Sequence, residues 1–152
     1  MKKVLIALDY NPVSEQVAKA GHKLAKQLNA QVCLIHVLTD VSYYGMQYPT
    51  FMGYDGYNIS ADMNMSTEMR NFAEEFLKTA TDHLEDPNAG YHLAEGETDT
   101  ALLNYAEEWN ADLIVMGTHS HSTLEKLLVG TIASRVLEKT KIPVYMVPIK
   151  KE

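Results

Sequence analysis

Hydrophobic and polar positions along the chain follow two alternating periods. Lys3–Leu8 (KVLIAL), Gln31–Leu38 (QVCLIHVL), Asp112–Met116 (DLIVM) and Ile142–Val147 (IPVYMV) are short apolar runs rich in β-branched residues. Near-continuous hydrophobicity over so few residues predicts strands covered on both faces, as in a parallel sheet. Tyr91–Ala94 supplies a weaker fifth candidate. Between these runs the apolar residues recur at helical spacing. Val13, Val17, Ala20, Leu24 and Leu28 make one stripe, and Met69, Phe72, Phe76, Ala80 and Leu84 a second. Leu102, Tyr105 or Ala106, and Trp109 make a third. Asn11 before Pro12 sets a capping side chain ahead of a proline at the first helical position. Thr98 or Asp99 stands where it would cap the third helix. Strands and helices that alternate with short links predict an α/β fold, a doubly wound sheet with helices on both faces.

Residues 40–66 break the rhythm. They hold five of the nine tyrosines and four of the eight methionines, with little periodicity and almost no charge. A link this long in a compact domain is expected to be a lid, a binding loop or an insert. Its aromatic and sulfur content favours a packed flap over a ligand site or a subunit surface, with a mobile loop of no special role as the alternative.

Composition narrows the function classes. The 152 residues amount to one domain, 1–152, long enough to bury a core. No apolar run approaches the roughly 20 residues of a membrane span, and the two lysines before the first strand do not make a signal peptide, because Asp9 interrupts a run that is already short. A net charge of −7 argues against nucleic acid and anionic membranes as partners. The lone Cys33 excludes an internal disulfide framework and makes a reducing cytoplasm the expected compartment.

The candidate chemistry lies at strand ends. Open α/β sheets bind ligands beyond the carboxyl ends of their strands, where the strand order reverses. Asp9 stands just past the first strand and Gly117 just past the fourth. Gly117 opens the stretch GTHSHSTLEKLLVGT, in which Ser122-Thr123-Leu124-Glu125 reads as a capping box. Gly130-Thr131 then begins a helix carrying Ile132, Val136 and Leu137. Free backbone amides, a positive dipole end and a hydroxyl at such a helix start suit an anion, with Lys126 and Arg135 as further charge. The competing reading is one continuous helix with an awkward glycine. His119 and His121, two apart on a loop with no supporting carboxylate or cysteine cluster, do not read as a metal site. His36, on a strand, reads as a satisfied core histidine. No nucleophile elbow, lysine-bearing Walker loop or receiver-type acidic cluster around Asp9 is present, so efficient ATP chemistry is not expected.

The stretch DLIVMGTHSHSTLEKLLVGTIASRVLEKTKIPVYMVP resembles the C-terminal half of universal stress proteins. Their nucleotide-binding members carry Gly-2x-Gly-9x-Gly-(Ser/Thr). Here the pattern runs Gly117, Ser120, Gly130-Thr131, and the first strand ending in Asp9, LIHVL at 34–38 and EGETDTALLNYAEEWNADLIVMG fit as well. The resemblance covers nearly the whole chain, with 40–66 as the variable region. It implies a Rossmann-like sheet of the adenine nucleotide alpha hydrolase type, five parallel strands in the order 3-2-1-4-5. It also implies ATP or AMP at the switch point between strands 1 and 4. By position, Asp9 would sit beside the nucleoside and Val37 would line the adenine pocket. Met116 and Gly117 would approach the ribose and α-phosphate, and His119 and Ser120 would meet phosphates. Gly130, Thr131 and Ile132 would present backbone or hydroxyl groups to the phosphate chain. Ser120 replaces the motif's second glycine, where its side chain either crowds a phosphate or bonds it. Mg²⁺ would bridge the phosphates, with no dedicated protein cage. A homodimer is expected through the apolar edge at Ile142–Val147, with Lys150–Glu152 as a solvated tail. The functional expectation is a stress-response sensor acting through dimerisation and unknown protein partners. A nucleotide-free interaction module and a very slow ATPase are the alternatives.

Overall fold

The structure is a computed structural model and describes residues 2–39, 59–118 and 129–149, with the backbone alone over 59–65. The elements run β1 (Lys3–Ala7), α1 (Ser14–Gln27), β2 (Gln31–Leu38), α2 (Ile59–His83), β3 (Gly90–Glu95), α3 (Thr98–Glu108), β4 (Leu113–Gly117), α4 (Thr131–Lys139) and β5 (Val144–Val147). The five strands form one parallel sheet in the order β3-β2-β1-β4-β5, the order that the family resemblance implies.

Strand alternation sorts the apolar residues into two cores, because successive side chains point to opposite faces. Val4, Ile6, Val32, Leu34 and Val115 pack with Val17, Ala18 and Ala25 of α1 and Leu77 of α2. Leu5, Cys33, Ile35, Ile114 and Met116 pack with Leu102 and Ala106 of α3 and Ala133 and Val136 of α4. Every central strand is therefore apolar at odd and even positions alike, which is why its sequence shows no alternation. Among the described residues no helix is long and apolar enough to cross a membrane.

Several local expectations shift. Helix α2 begins at Ile59, so residues 59–66 belong to a helix rather than to the long link. The last glycine of that stretch is Gly56, and beyond it nothing breaks a helix that reaches the stripe at Met69. The remainder of the expected flap, 40–58, lies outside the described residues. The buried line of α1 is Ser14, Val17, Ala18, Gly21, His22 and Ala25, one step round from the predicted stripe. Gly21 explains the shift: a Cβ there would lie 2.7 Å from Ile6 Cδ1 and 3.1 Å from Val115 Cγ1, so the helix approaches the sheet along its smallest residues. Asn11 does cap, but it caps a turn rather than α1 itself. Its Oδ1 accepts from the Val13 N–H at 3.1 Å, and the helix starts at Ser14. Neither Thr98 nor Asp99 caps α3; Glu97 holds that position without a side-chain bond. On α4 it is Ala133 and Val136 that are buried, while Leu137 faces outward. β5 is shorter than its apolar run and leaves Ile142 and Pro143 before it.

Candidate functional site

β1 and β4 are paired in register, Val4 with Leu113 and Ile6 with Val115. β2 flanks β1 on its other side, so the strand order reverses between β1 and β4, and in open α/β sheets a ligand crevice is expected outside the carboxyl ends at such a point. Asp9 and Gly117 both leave the sheet there.

Local hydrogen bonds fix Asp9. Ser14, buried in the first turn of α1, donates its hydroxyl to Asp9 Oδ1 at 2.7 Å and accepts the Asp9 N–H at 3.1 Å. The Asn11 N–H donates to the same Oδ1 at 3.0 Å. Among the described residues Oδ2 takes no bond, so one carboxylate oxygen is held and the other keeps its acceptor capacity. Sequence reasoning missed Ser14. A hydroxyl five residues past a strand-end aspartate, at a helix start, was the available signal.

The far wall of the crevice begins at Thr118. Its N–H donates to the Val147 carbonyl at 3.1 Å, and its hydroxyl oxygen accepts the Ile149 N–H, also at 3.1 Å. Its own carbonyl accepts the Gly130 N–H at 2.5 Å. The chain that leaves β4 is thus clasped at its base where it enters α4. Gly130 has extended dihedrals (φ −71°, ψ 170°) and no side-chain cap bond. The first helical bond runs from the Ser134 N–H to the Gly130 carbonyl at 2.9 Å. The amides of Thr131, Ile132 and Ala133 therefore have no partner among the described residues. Three free donors at the positive end of a helix dipole are the raw material of an anion site.

The apolar residues of the expected site come together. Val37, Met116 and Ile132 share the core on the α3/α4 face of the sheet, joined there by Ala7 and Val129. On the opposite face His36 is buried, its Nδ1–H donating to the Leu8 carbonyl at 2.8 Å. Burial pushes the His36 pKa down, against the opposing pull of that carbonyl and of Asp9, so the ring is neutral. Tyr10 lies 4.3 Å from it, ring to ring, and Phe76 5.7 Å.

Two motif glycines already make close contacts within the protein. The space beside Gly117 is filled by the protein itself: a Cβ there would meet Ile149 Cδ1 at 3.0 Å and Val17 Cγ2 at 3.1 Å. The amide of Gly130 is committed to Thr118, which leaves Thr131 and Ile132 as the motif's open donors. Arg135 is exposed on α4. His119, Ser120, the 122–125 capping box and Lys126 lie outside the described residues.

Comparison with known proteins agrees with this architecture. The sequence profile of the universal stress protein family matches residues 1–148. The chain belongs to that family. Universal stress protein MJ0531 of Methanocaldococcus jannaschii is 32% identical over 149 residues, which span 96% of this chain and 81% of that one. Among solved structures, MJ0577, a universal stress protein of the same organism, superposes with a TM-score of 0.77 at 20% identity, covering 99% of this chain and 98% of that one. A universal stress protein solved with cAMP (TM-score 0.59, 20% identity, 96% and 95% covered) shares the fold as well. So does one from Archaeoglobus fulgidus solved with dAMP (0.57, 19%, 96% and 97%). In this universal stress protein the sheet order and helix layers are thus those of its family.

Proposed function

We propose that this universal stress protein binds an adenine nucleotide, ATP or AMP, in the crevice between β1 and β4 and acts as a stress-response regulator. The observation that carries the reading is the uncapped start of α4, with the amides of Thr131, Ile132 and Ala133 free among the described residues beside the end of β4. Relatives of the same fold solved with cAMP and dAMP support the ligand class. In this reading the Asp9 carboxylate, oriented by Ser14, accepts from a ribose hydroxyl. Val37, with Ala7 beside it, lines the adenine pocket, and Met116, Gly117 and Thr118 approach the ribose and first phosphate. Thr131 and Ile132 donate to the phosphate chain, with His119 and Ser120 meeting it from the preceding loop. Mg²⁺ would accompany the phosphates of the nucleotide. The protein is a homodimer through β5, and nucleotide occupancy alters which partner proteins it meets. It works in the cytoplasm, where the buried Cys33 stays reduced.

A second reading is a nucleotide-free dimeric module. The filled space beside Gly117 and the committed Gly130 amide favour it. Calorimetric and thermal-shift titrations with ATP and AMP separate the two. Saturable heat and a raised Tm are expected, and silence at millimolar nucleotide rejects the binding reading. If the wild type is silent while Ser120→Gly binds, the serine is a block and the second reading stands.

A further inference from the structure

The buried face of α3 includes a charge. Asp99 is fully buried in the same helix as Leu102 and Ala106. Its Oδ2 accepts from Lys139 Nζ at 2.5 Å, whereas its Oδ1 has no partner among the described residues. Lys139 is half exposed and stands in the last turn of α4. Arg135, one turn earlier on the same helix, adds a second positive field at this carboxylate.

The Lys139 hydrogen bond outweighs the desolvation of the Asp99 carboxyl and holds its pKa below the ordinary carboxylate range, although the orphaned Oδ1 still carries a cost. What the pair supplies is geometry between two helices. α4 has nine residues, too few for a helix to hold itself in water, and its buried side chains are only Ala133 and Val136. A contact at Lys139 therefore has large leverage on its tilt. The lysine sits at the opposite end from the open amides, about 12 Å away along a rigid rod.

We propose that Asp99 and Lys139 form a positioning pair that sets the angle of α4 and so aims the amides of Thr131, Ile132 and Ala133 at the phosphate chain. This role rests on the nucleotide reading. It makes Asp99 a specificity element for phosphate, not for the nucleoside.

The test compares ATP with adenosine, which lacks the phosphates, by calorimetry on the full chain. Asp99→Asn, Lys139→Met, the double variant and Lys139→Arg are each measured, with Tm recorded alongside. Asp99→Asn and Lys139→Met are expected to weaken ATP about tenfold while adenosine affinity stays within about twofold. The double variant should be no worse than the weaker single one, as for residues acting as a unit. Lys139→Arg, which keeps the cation, should retain ATP binding. Equal losses for ATP and adenosine would reduce the pair to a structural role and overturn the proposal, as would unchanged ATP affinity in both single variants. Wild-type protein that binds neither ligand removes the nucleotide reading itself, and this role with it.

Discussion

His36 shows how much one side chain's environment decides. Its burial keeps the imidazole neutral in the folded protein and lowers its pKa. In the unfolded chain the same group titrates near its ordinary value of about 6.5. Below that pH the unfolded state binds a proton that the folded state refuses, so the group's contribution is intact above about pH 6.5 and stability falls as pH drops towards the lower folded pKa. His36→Gln removes this term. In urea denaturation, the stability lost between about pH 7.5 and about pH 5.5 should be smaller in the variant than in the wild type. An unchanged difference would mean that His36 does not titrate on unfolding. Gly21 makes the second residue-scale prediction. Alanine would raise helix propensity by about 1 kcal/mol, yet its Cβ would sit 2.7 Å from Ile6 Cδ1 and 2.9 Å from Ile6 Cγ1 in a closed core. Overpacking of this kind costs about 1–3 kcal/mol, so Gly21→Ala should lower stability despite the better helix former. Chemical denaturation reads the sign directly. His36 was legible as a satisfied core histidine on a strand, whereas Gly21 was not, because a close approach is a property of two elements that the sequence lists far apart.

Element by element, legibility followed the strength of the pattern. Gln31–Leu38 was placed to the residue, since its eight positions are apolar apart from Gln31 and His36. The α1 stripe was off by a step because large residues mark the predicted line, while the helix packs by its small ones, Ala18, Gly21 and Ala25. The start of α2 was hidden because Tyr, Met and Asn over 40–66 carry no helical period until Met69. The start of α4 was legible, because Gly-Thr ahead of an apolar stripe is strong local punctuation. This helix offers a direct test. Proline is tolerated at the first helical position, and Gly130 already has the extended backbone that precedes a proline comfortably. Thr131→Pro should therefore keep the helix while deleting one of the three open N–H groups and the hydroxyl. ATP affinity is expected to fall about tenfold, in line with the loss of one charge-assisted hydrogen bond. Thr131→Val, which keeps the amide, reports the hydroxyl alone. A Thr131→Pro variant that binds ATP as tightly as wild type would show that this amide does not contact phosphate.

For the whole molecule, two-period alternation was enough to give the α/β class, and the family motif gave the strand order. The order itself is not written in hydrophobicity, since every central strand is apolar on both faces. The candidate site was legible as positions rather than as roles. Asp9 and Thr131 were named from spacing, and Val37, Met116 and Ile132 from the resemblance alone, while Ser14, whose hydroxyl holds Asp9, was signalled only by its place at a helix start five residues past that aspartate. The sheet has β5 at one edge, where Tyr145 is exposed and Leu137 of the neighbouring α4 also faces outward. An apolar edge strand of this kind seeks a partner. Light scattering at micromolar concentration should give twice the 17.1 kDa chain mass, and Tyr145→Lys should shift the population to monomer. A wild-type protein that is monomeric throughout would remove the dimer. The central claim concerns three amides, and amide-resolved NMR during an ATP titration observes them individually. The ¹⁵N–¹H signals of Thr131, Ile132 and Ala133 should move the most and saturate together, with smaller shifts on adenosine. Signals that stay in place while ATP perturbs other parts of the sheet, or no perturbation anywhere, would contradict the account.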